Sequence, residues 1–185
     1  MNKTTKLPQL DFTEAVKLSW SKLTQFTGRS RRSEFWWSYL ALFIINIFMS
    51  FIPFIGSIGT LAVYLAMIPL CFRRLHDTGR SGWWYGAGII ISVALGIAIC
   101  ATIFTGLAGN TSIHDSLQDV VMETLTLLLT PQIITGYIIL TIYGIVLLVF
   151  LCQDSQPFDN KFGPSPKYKA SETEHGIPDN VPEWK

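Results

Sequence analysis

The residues with chemistry to offer are concentrated in "RRLHDTGRSGWW", Arg73 to Trp84, set between two long apolar runs. Two arginines, a histidine, an aspartate and a third arginine stand together there. A second basic stretch, "TGRSRRSEFWW" from Thr27 to Trp37, adds Arg29, Arg31, Arg32 and Glu34. The two stretches hold every arginine of the chain and no lysine. A guanidinium fork grips phosphate or carboxylate through paired hydrogen bonds, whereas an ammonium acts as a point charge. Arg29, Arg31, Arg32, Arg73, Arg74 and Arg80 are therefore the candidates for binding an anion or a lipid headgroup. Glu34 and Asp77 would orient them by pairing, and His76 could donate a further hydrogen bond. The plainer alternative is that these arginines only set membrane orientation, attract anionic lipids without a specific site, and lock helices together through salt bridges.

Catalysis finds less support in the same residues. His76 beside Asp77 resembles an acid/base pair. Neighbours on a helix of 3.6 residues per turn point roughly 100° apart, however, so Asp77 is not expected to orient His76 as in a relay. Ser30, Ser33 and Ser81 all have explanations as helix caps. No catalytic residue is expected, and an enzyme acting on a membrane lipid phosphate remains only an alternative. Cys71, Cys100 and Cys152 fall in or at the ends of apolar runs, and their odd number argues against a disulfide framework. No metal or cofactor is expected. His114 and Asp115 lack a third converging ligand and read as a solvated face, and His175 is given no role.

The elements that must position these groups follow from where charge is missing. Trp36 to Phe72, Gly82 to Ile113 and Thr124 to Gln153 carry none. A helix needs about 20 apolar residues to cross a hydrocarbon core of roughly 30 Å. The first run is long enough for two crossings, and "IPFIG" (Ile52 to Gly56) supplies the turn between them. Four spans are expected, at 36–54, 57–72, 83–106 and 132–152, with Pro69 bending the second. The 14 lysines and arginines lie before the first span, between the second and third, and after the fourth. None falls in the 52–57 turn or the 107–131 loop. The positive-inside rule then puts both termini and the Arg73–Arg80 loop in the cytoplasm. No secretory signal pattern is recognised.

The expected fold is an all-α integral membrane protein: four transmembrane helices in two hairpins, N-in/C-in, with an amphipathic N-terminal interfacial helix. Residues 1–27 form the N-terminal tail and that helix, 28–152 the membrane domain, and 153–185 a flexible cytoplasmic tail. In "DFTEAVKLSWSKLTQF", Phe12, Val16, Trp20 and Leu23 recur at helical spacing, with Asp11 and Glu14 as a capping box and Gly28 as a stop. Trp20, Trp36, Trp37, Trp83 and Trp84 are the expected interfacial anchors. In the periplasmic loop, Ile113, Leu117, Val120, Val121 and Leu128 oppose His114, Asp115, Gln118, Asp119 and Glu123. That segment is either a second interfacial helix ending before Pro131 or an outward extension of the fourth span with a proline kink. The tail after Cys152 is proline-rich and poor in aliphatic residues, which leaves little burial to offset ordering entropy. Within it, "DNKFGPSP" could fold back to cap the arginines, with Asp159 supplying charge and Gly163 shaping a turn.

The spans themselves contain no ionisable group of the kind that marks proton or ion pathways. Asn46 and the threonines read as hydrogen-bonding between or within helices. A small oligomeric transporter or channel is kept as an alternative. The shared "TGRS…WW" pattern of the two arginine stretches suggests a duplicated unit, but convergence explains it more simply: glycine stops a helix, serine starts one, and arginine and tryptophan suit the headgroup layer.

"FTGRSRRSEFWW" (Phe26 to Trp37), "RRLHDTGRSGWW" (Arg73 to Trp84) and "DNKFGPSP" (Asp159 to Pro166) together resemble the signature stretches of a bacterial inner-membrane family catalogued as domain of unknown function 805. The resemblance covers roughly residues 10–168. The chain departs from the pattern with Phe162 in place of a usual tyrosine and with a longer loop between the third and fourth spans. The resemblance implies a multi-pass protein of the bacterial inner membrane and no particular activity. The functional expectation is a non-enzymatic binding or scaffolding protein. Its expected partners are anionic membrane lipids and a membrane-protein partner or a second copy, with no nucleic acid.

Overall fold

The computed structural model describes residues 4–109 and 117–170. His114, Asp115, Ile113, His175 and the rest of the tail beyond residue 170 lie outside the described residues. In chain order the elements are β1 (Thr4–Lys6), α1 (Phe12–Ser21), α2 (Arg32–Ser50), α3 (Ile55–Asp77), α4 (Trp83–Gly109), α5 (Leu117–Leu128), α6 (Pro131–Cys152) and β2 (Tyr168–Ala170).

Among the described residues, three helices are long and apolar enough to cross a membrane: Ile55–Asp77, Trp83–Gly106 and Pro131–Cys152. The helix at the expected first span, α2, has 19 residues but opens on Arg32, Ser33 and Glu34. Its expected continuation to residue 54 is replaced by a turn after Ser50, so its uninterrupted apolar stretch is shorter than in the other three. α3 runs on through Pro69.

Apolar residues point mainly outward. Within the α4 span none of the segment is buried in the chain, and in α6 only 6% is. In water such surfaces would drive aggregation; lipid tails solvate them at no cost. Hydroxyls on these helices bond back along their own backbone, Ser92 to Gly88, Thr102 to Ala98 and Thr141 to Tyr137, at 2.7–2.9 Å. A polar side chain that finds such a partner need not find water. The true core is small. Phe35, Leu70 and Cys71 are buried together, with Tyr39, Tyr85 and Leu151 packed against them, so α2, α3, α4 and α6 all contribute at one end of the molecule.

α1 starts where Asp11 accepts the Glu14 N–H at 2.7 Å, and this bond holds the Asp11 carboxyl below its usual range. The helix packs on α2 through small residues together with Phe12 of its expected apolar face, whose ring meets Trp37 edge-on at 5.8 Å. Ala15 and Ser19 are buried, and Ser38 donates to the Ala15 carbonyl at 3.3 Å. Trp20 stays 67% exposed. α5 is a separate helix, and Pro131 begins α6 at its first turn, where a missing N–H is harmless.

Two expectations need correction. The chain is mostly rather than wholly helical, because Thr4–Lys6 pairs antiparallel with Tyr168–Ala170. The tail is also not loose from residue 153: residues 153–170 are laid down along the charged end of the helices. The physical reason is that this segment gains fixed hydrogen bonds to buried groups, a compensation its low apolar content does not advertise. Leu7 N–H to the Lys167 carbonyl, at 2.9 Å, extends the strand pairing by one bond.

The end of α3 fixes the geometry of everything around it. Gly79 N–H bonds to His76 O and Arg80 N–H to Leu75 O, both at 3.0 Å, which is the Schellman arrangement. It requires a left-handed residue, and Gly79 has φ +80°. Gly28, at the matching point of the other arginine stretch, has φ +88°. The two positions differ in surroundings: a Cβ on Gly79 would collide with the Gln156 side chain, whereas one on Gly28 would meet nothing. We expect Gly28→Ala to cost only the left-handed penalty of about 1–2 kcal/mol. Gly79→Ala should lower the melting temperature of the detergent-solubilised protein further. Equal shifts would mean that the Gln156 contact does not constrain the tail.

Candidate functional site

Asp77 closes α3 and is completely buried. An ionised carboxylate in that position is tolerable only if its oxygens are saturated. Oδ1 accepts Arg29 Nε at 3.0 Å, and Oδ2 accepts Arg74 Nη1 at 2.7 Å together with the Ser155 hydroxyl. Arg29 comes from the segment before α2, Arg74 from α3 itself and Ser155 from the segment after α6. One side chain thus joins the beginning, middle and end of the helical domain.

Arg29 and Arg74 are heavily committed in turn, whereas the buried Nε of Arg73 has no hydrogen-bond partner among the described residues. Arg29 uses all five of its N–H donors. Besides Nε, its Nη1 donates to Phe158 O at 2.9 Å and Gly163 O at 3.3 Å. Its Nη2 donates to Gln156 O at 2.6 Å and Asp77 O at 3.4 Å. Arg74 lies across the carboxyl end of α6, with Nε on Leu151 O at 2.9 Å and Nη2 on Gln153 O. A cation there meets both orphan carbonyls and the negative end of the helix dipole. Its Nη1 also reaches Ser30 O at 3.4 Å. Arg73 points the other way, to buried Glu34 at 3.1 Å, tying α3 to the first turn of α2. Ser30 N–H bonds to the Arg73 carbonyl at 3.0 Å and completes that tie.

His76 Nδ1 lies 3.2 Å from the Gly28 carbonyl, which makes it the donor, and the ring stacks on Phe162 at 3.8 Å between centroids. Asn160 donates to the His76 carbonyl at 3.0 Å. "DNKFGPSP" therefore docks on the arginine network. Its contact is made by backbone carbonyls and by Phe162, while the expected Asp159 carboxylate is not among the groups that hold Arg29. The imidazole and the Asp77 carboxylate face different partners. Ser33 accepts a backbone N–H from Leu10 at 3.4 Å, and Ser81 accepts one from Trp83 at 3.3 Å. Among the described residues no three metal-ligating side chains converge.

The six arginines thus divide. Arg29, Arg73 and Arg74 are buried, and an external phosphate could reach them only by displacing Glu34, Asp77 or the tail. Arg80 lies over the Phe150 ring at 4.0 Å and donates to the Gln153 side chain. Arg31 is half-buried, with Nη1 on Pro8 O at 2.7 Å, and Arg32 is exposed. Trp20, Trp37, Trp83 and Trp84 are exposed, and Trp36 is half-buried. Sequence reasoning missed Gln153, Ser155, Gln156 and Asn160, whose polar side chains or carbonyls complete the network. It also missed the Asp154–Lys167 pair, whose bond holds the Asp154 carboxyl below its usual range. For Lys167, partial burial opposes the charge, but pairing with Asp154 prevails and raises it. For Gln153, Asp154, Ser155 and Gln156 the signal in the sequence was the polar composition of the segment after Cys152, and for Asn160 its place in "DNKFGPSP".

Removing one member of a buried pair strands the other, at about 3–5 kcal/mol, whereas replacing both with apolar side chains is often near neutral. Glu34→Leu or Arg73→Met alone should each lower thermal stability in detergent sharply. The double substitution should recover most of the loss. Additive losses in this cycle would show that Glu34 and Arg73 do not act as a pair.

The family model described as Protein of unknown function (DUF805) matches residues 23–164, which include both arginine stretches, the whole Asp77 network and all four long helices. Inner membrane protein YhaH of Escherichia coli K12 is 27% identical over 158 residues, covering 77% of this chain and 87% of that protein. Inner membrane protein YhaI of the same strain is 37% identical over 67 residues. That match takes in 32% of this chain and 57% of YhaI, so the chain spans little more than half of the length of that relative. No solved structure matches. On the span and content of the family match, the chain belongs to the DUF805 family.

Proposed function

We propose that the protein is a four-span protein of the bacterial inner membrane with both ends in the cytoplasm. Its role in this reading is non-enzymatic: a binding or scaffolding protein that presents a basic surface to the inner leaflet, on a platform held rigid by the buried arginines. The observation that carries it is the bond from Arg29, ahead of α2, to Phe158 O, beyond α6. Those residues meet at one end of the helices, so the chain between them makes an even number of crossings. With α3, α4 and α6 crossing, α2 is the fourth span. Its short apolar stretch is accommodated by α1 lying beside it at the headgroup level with Trp20 outward. The relatives' inner-membrane location and the clustering of basic residues at this end support the orientation.

A lipid-phosphate enzyme gains no support from His76, whose imidazole is occupied by Gly28 O and Phe162. A transporter gains none from the span threonines, which bond to their own helices.

Reporter fusions test the topology. Green fluorescent protein at residue 170 should fluoresce and alkaline phosphatase there should be inactive, while phosphatase inserted at residue 53 should be active. The reverse pattern at either site would overturn the four-span reading. The platform is tested by Arg73→Ala with Arg74→Ala. This variant should lose monodispersity in detergent and unfold well below the wild type, because Glu34 is stranded and the α6 terminus loses its cap. A variant as stable as wild type would leave these arginines without a structural role.

A further inference from the structure

A cavity of about 380 Å³ opens beside the start of α2, bounded by the segment between β1 and α1 and by the segment around Lys167. Lys6, Arg31, Arg32 and Lys167 line it against one carboxylate, Asp154. Unlike Arg29, Arg73 and Arg74, these cations are not walled in. Arg32 is exposed, and the bond from Arg31 to Pro8 O uses one of the five donors of its fork. α2 begins here with no side-chain cap, so first-turn N–H groups and the positive end of the helix dipole add to the same field.

One further feature distinguishes the cavity from a merely basic patch. Trp36 lines it and also lines an apolar cavity of about 370 Å³ that runs toward Tyr39, Tyr85 and Leu148. Polar and apolar spaces therefore meet at one indole. A free anion has use only for the first, while a molecule with a phosphate head and a hydrocarbon tail has use for both.

We propose that this cavity is a phosphate-binding site for an anionic phospholipid, with Arg31 and Arg32 on the phosphodiester, Lys6 beside it, and an acyl chain passing Trp36. The site rests on the reading of the protein as a non-enzymatic headgroup binder and names where the headgroup sits. Asp154 tempers the site: it pairs with Lys167 and keeps that cation from the phosphate.

The test is native mass spectrometry of the full chain in detergent, titrated with phosphatidylglycerol and with phosphatidylcholine of the same acyl chains. Wild type should prefer phosphatidylglycerol at least tenfold. Arg32→Gln, whose side chain is exposed, should cost about fivefold, at roughly 1 kcal/mol per basic residue near a lipid surface. Arg31→Gln/Arg32→Gln should abolish the preference, and Asp154→Asn should tighten binding by freeing Lys167. Millimolar inorganic phosphate added in competition separates the two sources of the anion. Failure to displace the lipid supports a lipid site, and full displacement with equal affinity for phosphate alone overturns the acyl-chain part of the proposal. Equal binding of both lipids by wild type, or an unchanged preference in both the Arg32→Gln and Asp154→Asn variants, overturns the site altogether. The titration is blind to membrane orientation, so its failure and a failure of the reporter fusions are separate results.

Discussion

Everything at the charged end of this molecule depends on one constraint: the Asp77 carboxylate is completely buried. Buried at the last residue of α3, it must be saturated by protein, and it takes Arg29, Arg74 and Ser155 to do so. Each of these partners is itself buried, so each must be satisfied in turn. Arg29 draws in the carbonyls of Gln156, Phe158 and Gly163, and Arg74 draws in the end of α6. Desolvation of one carboxylate thus propagates outward until it has organised three segments far apart in the chain. Such a network is poor evidence of net stability but a strong constraint on geometry, since only one arrangement satisfies all its members.

The rest of the chain lives under the opposite rule. Along α4 and α6 almost nothing is buried within the protein, and no hydrophobic force draws one helix to another in lipid. Between helices, specific contacts therefore carry the association. Tyr143 donates to the Trp84 carbonyl, linking α6 to α4. The small cluster of Phe35, Leu70 and Cys71 sits directly beneath the arginine network, where the four long helices converge. Polar closure above and tight packing below fix one end of the bundle, and the far end is freer of both.

How much of this the sequence disclosed varies with the kind of interaction. Helix positions followed from charge-free runs, because a membrane span is a local property: α3, α4 and α6 lie within a few residues of expectation. The Gly79 stop was legible for the same reason, since a Schellman end is written in consecutive residues. That Glu34 and Asp77 would pair with arginines could be anticipated from charge alone, because few carboxylates were at hand, but which arginine each takes could not. Burial was not legible. Nothing in "RRLHD" distinguishes an arginine facing lipid headgroups from one enclosed by a returning tail, and that tail acts mainly through backbone carbonyls, which every residue possesses. The strand pairing of Thr4–Lys6 with Tyr168–Ala170 was hidden likewise, being three residues on each side with no alternation long enough to detect.

The closure of Arg29 by residues 156–163 has a consequence for biosynthesis. These residues leave the ribosome only after α6, so during translation Arg29, Asp77 and Arg74 emerge before the groups that will finally enclose them exist. Until then water or lipid phosphates must solvate them, and the last helix is inserted into an assembly whose charged end is still open. Residues 156–163 act as a latch: they are synthesised after every long helix, and their docking marks the point at which the nascent protein exchanges hydrated ions for internal bonds. A ribosome that stalls just past Cys152 would leave the long helices with an unsealed polar end, a state that quality-control machinery could distinguish from the finished protein by its hydration alone.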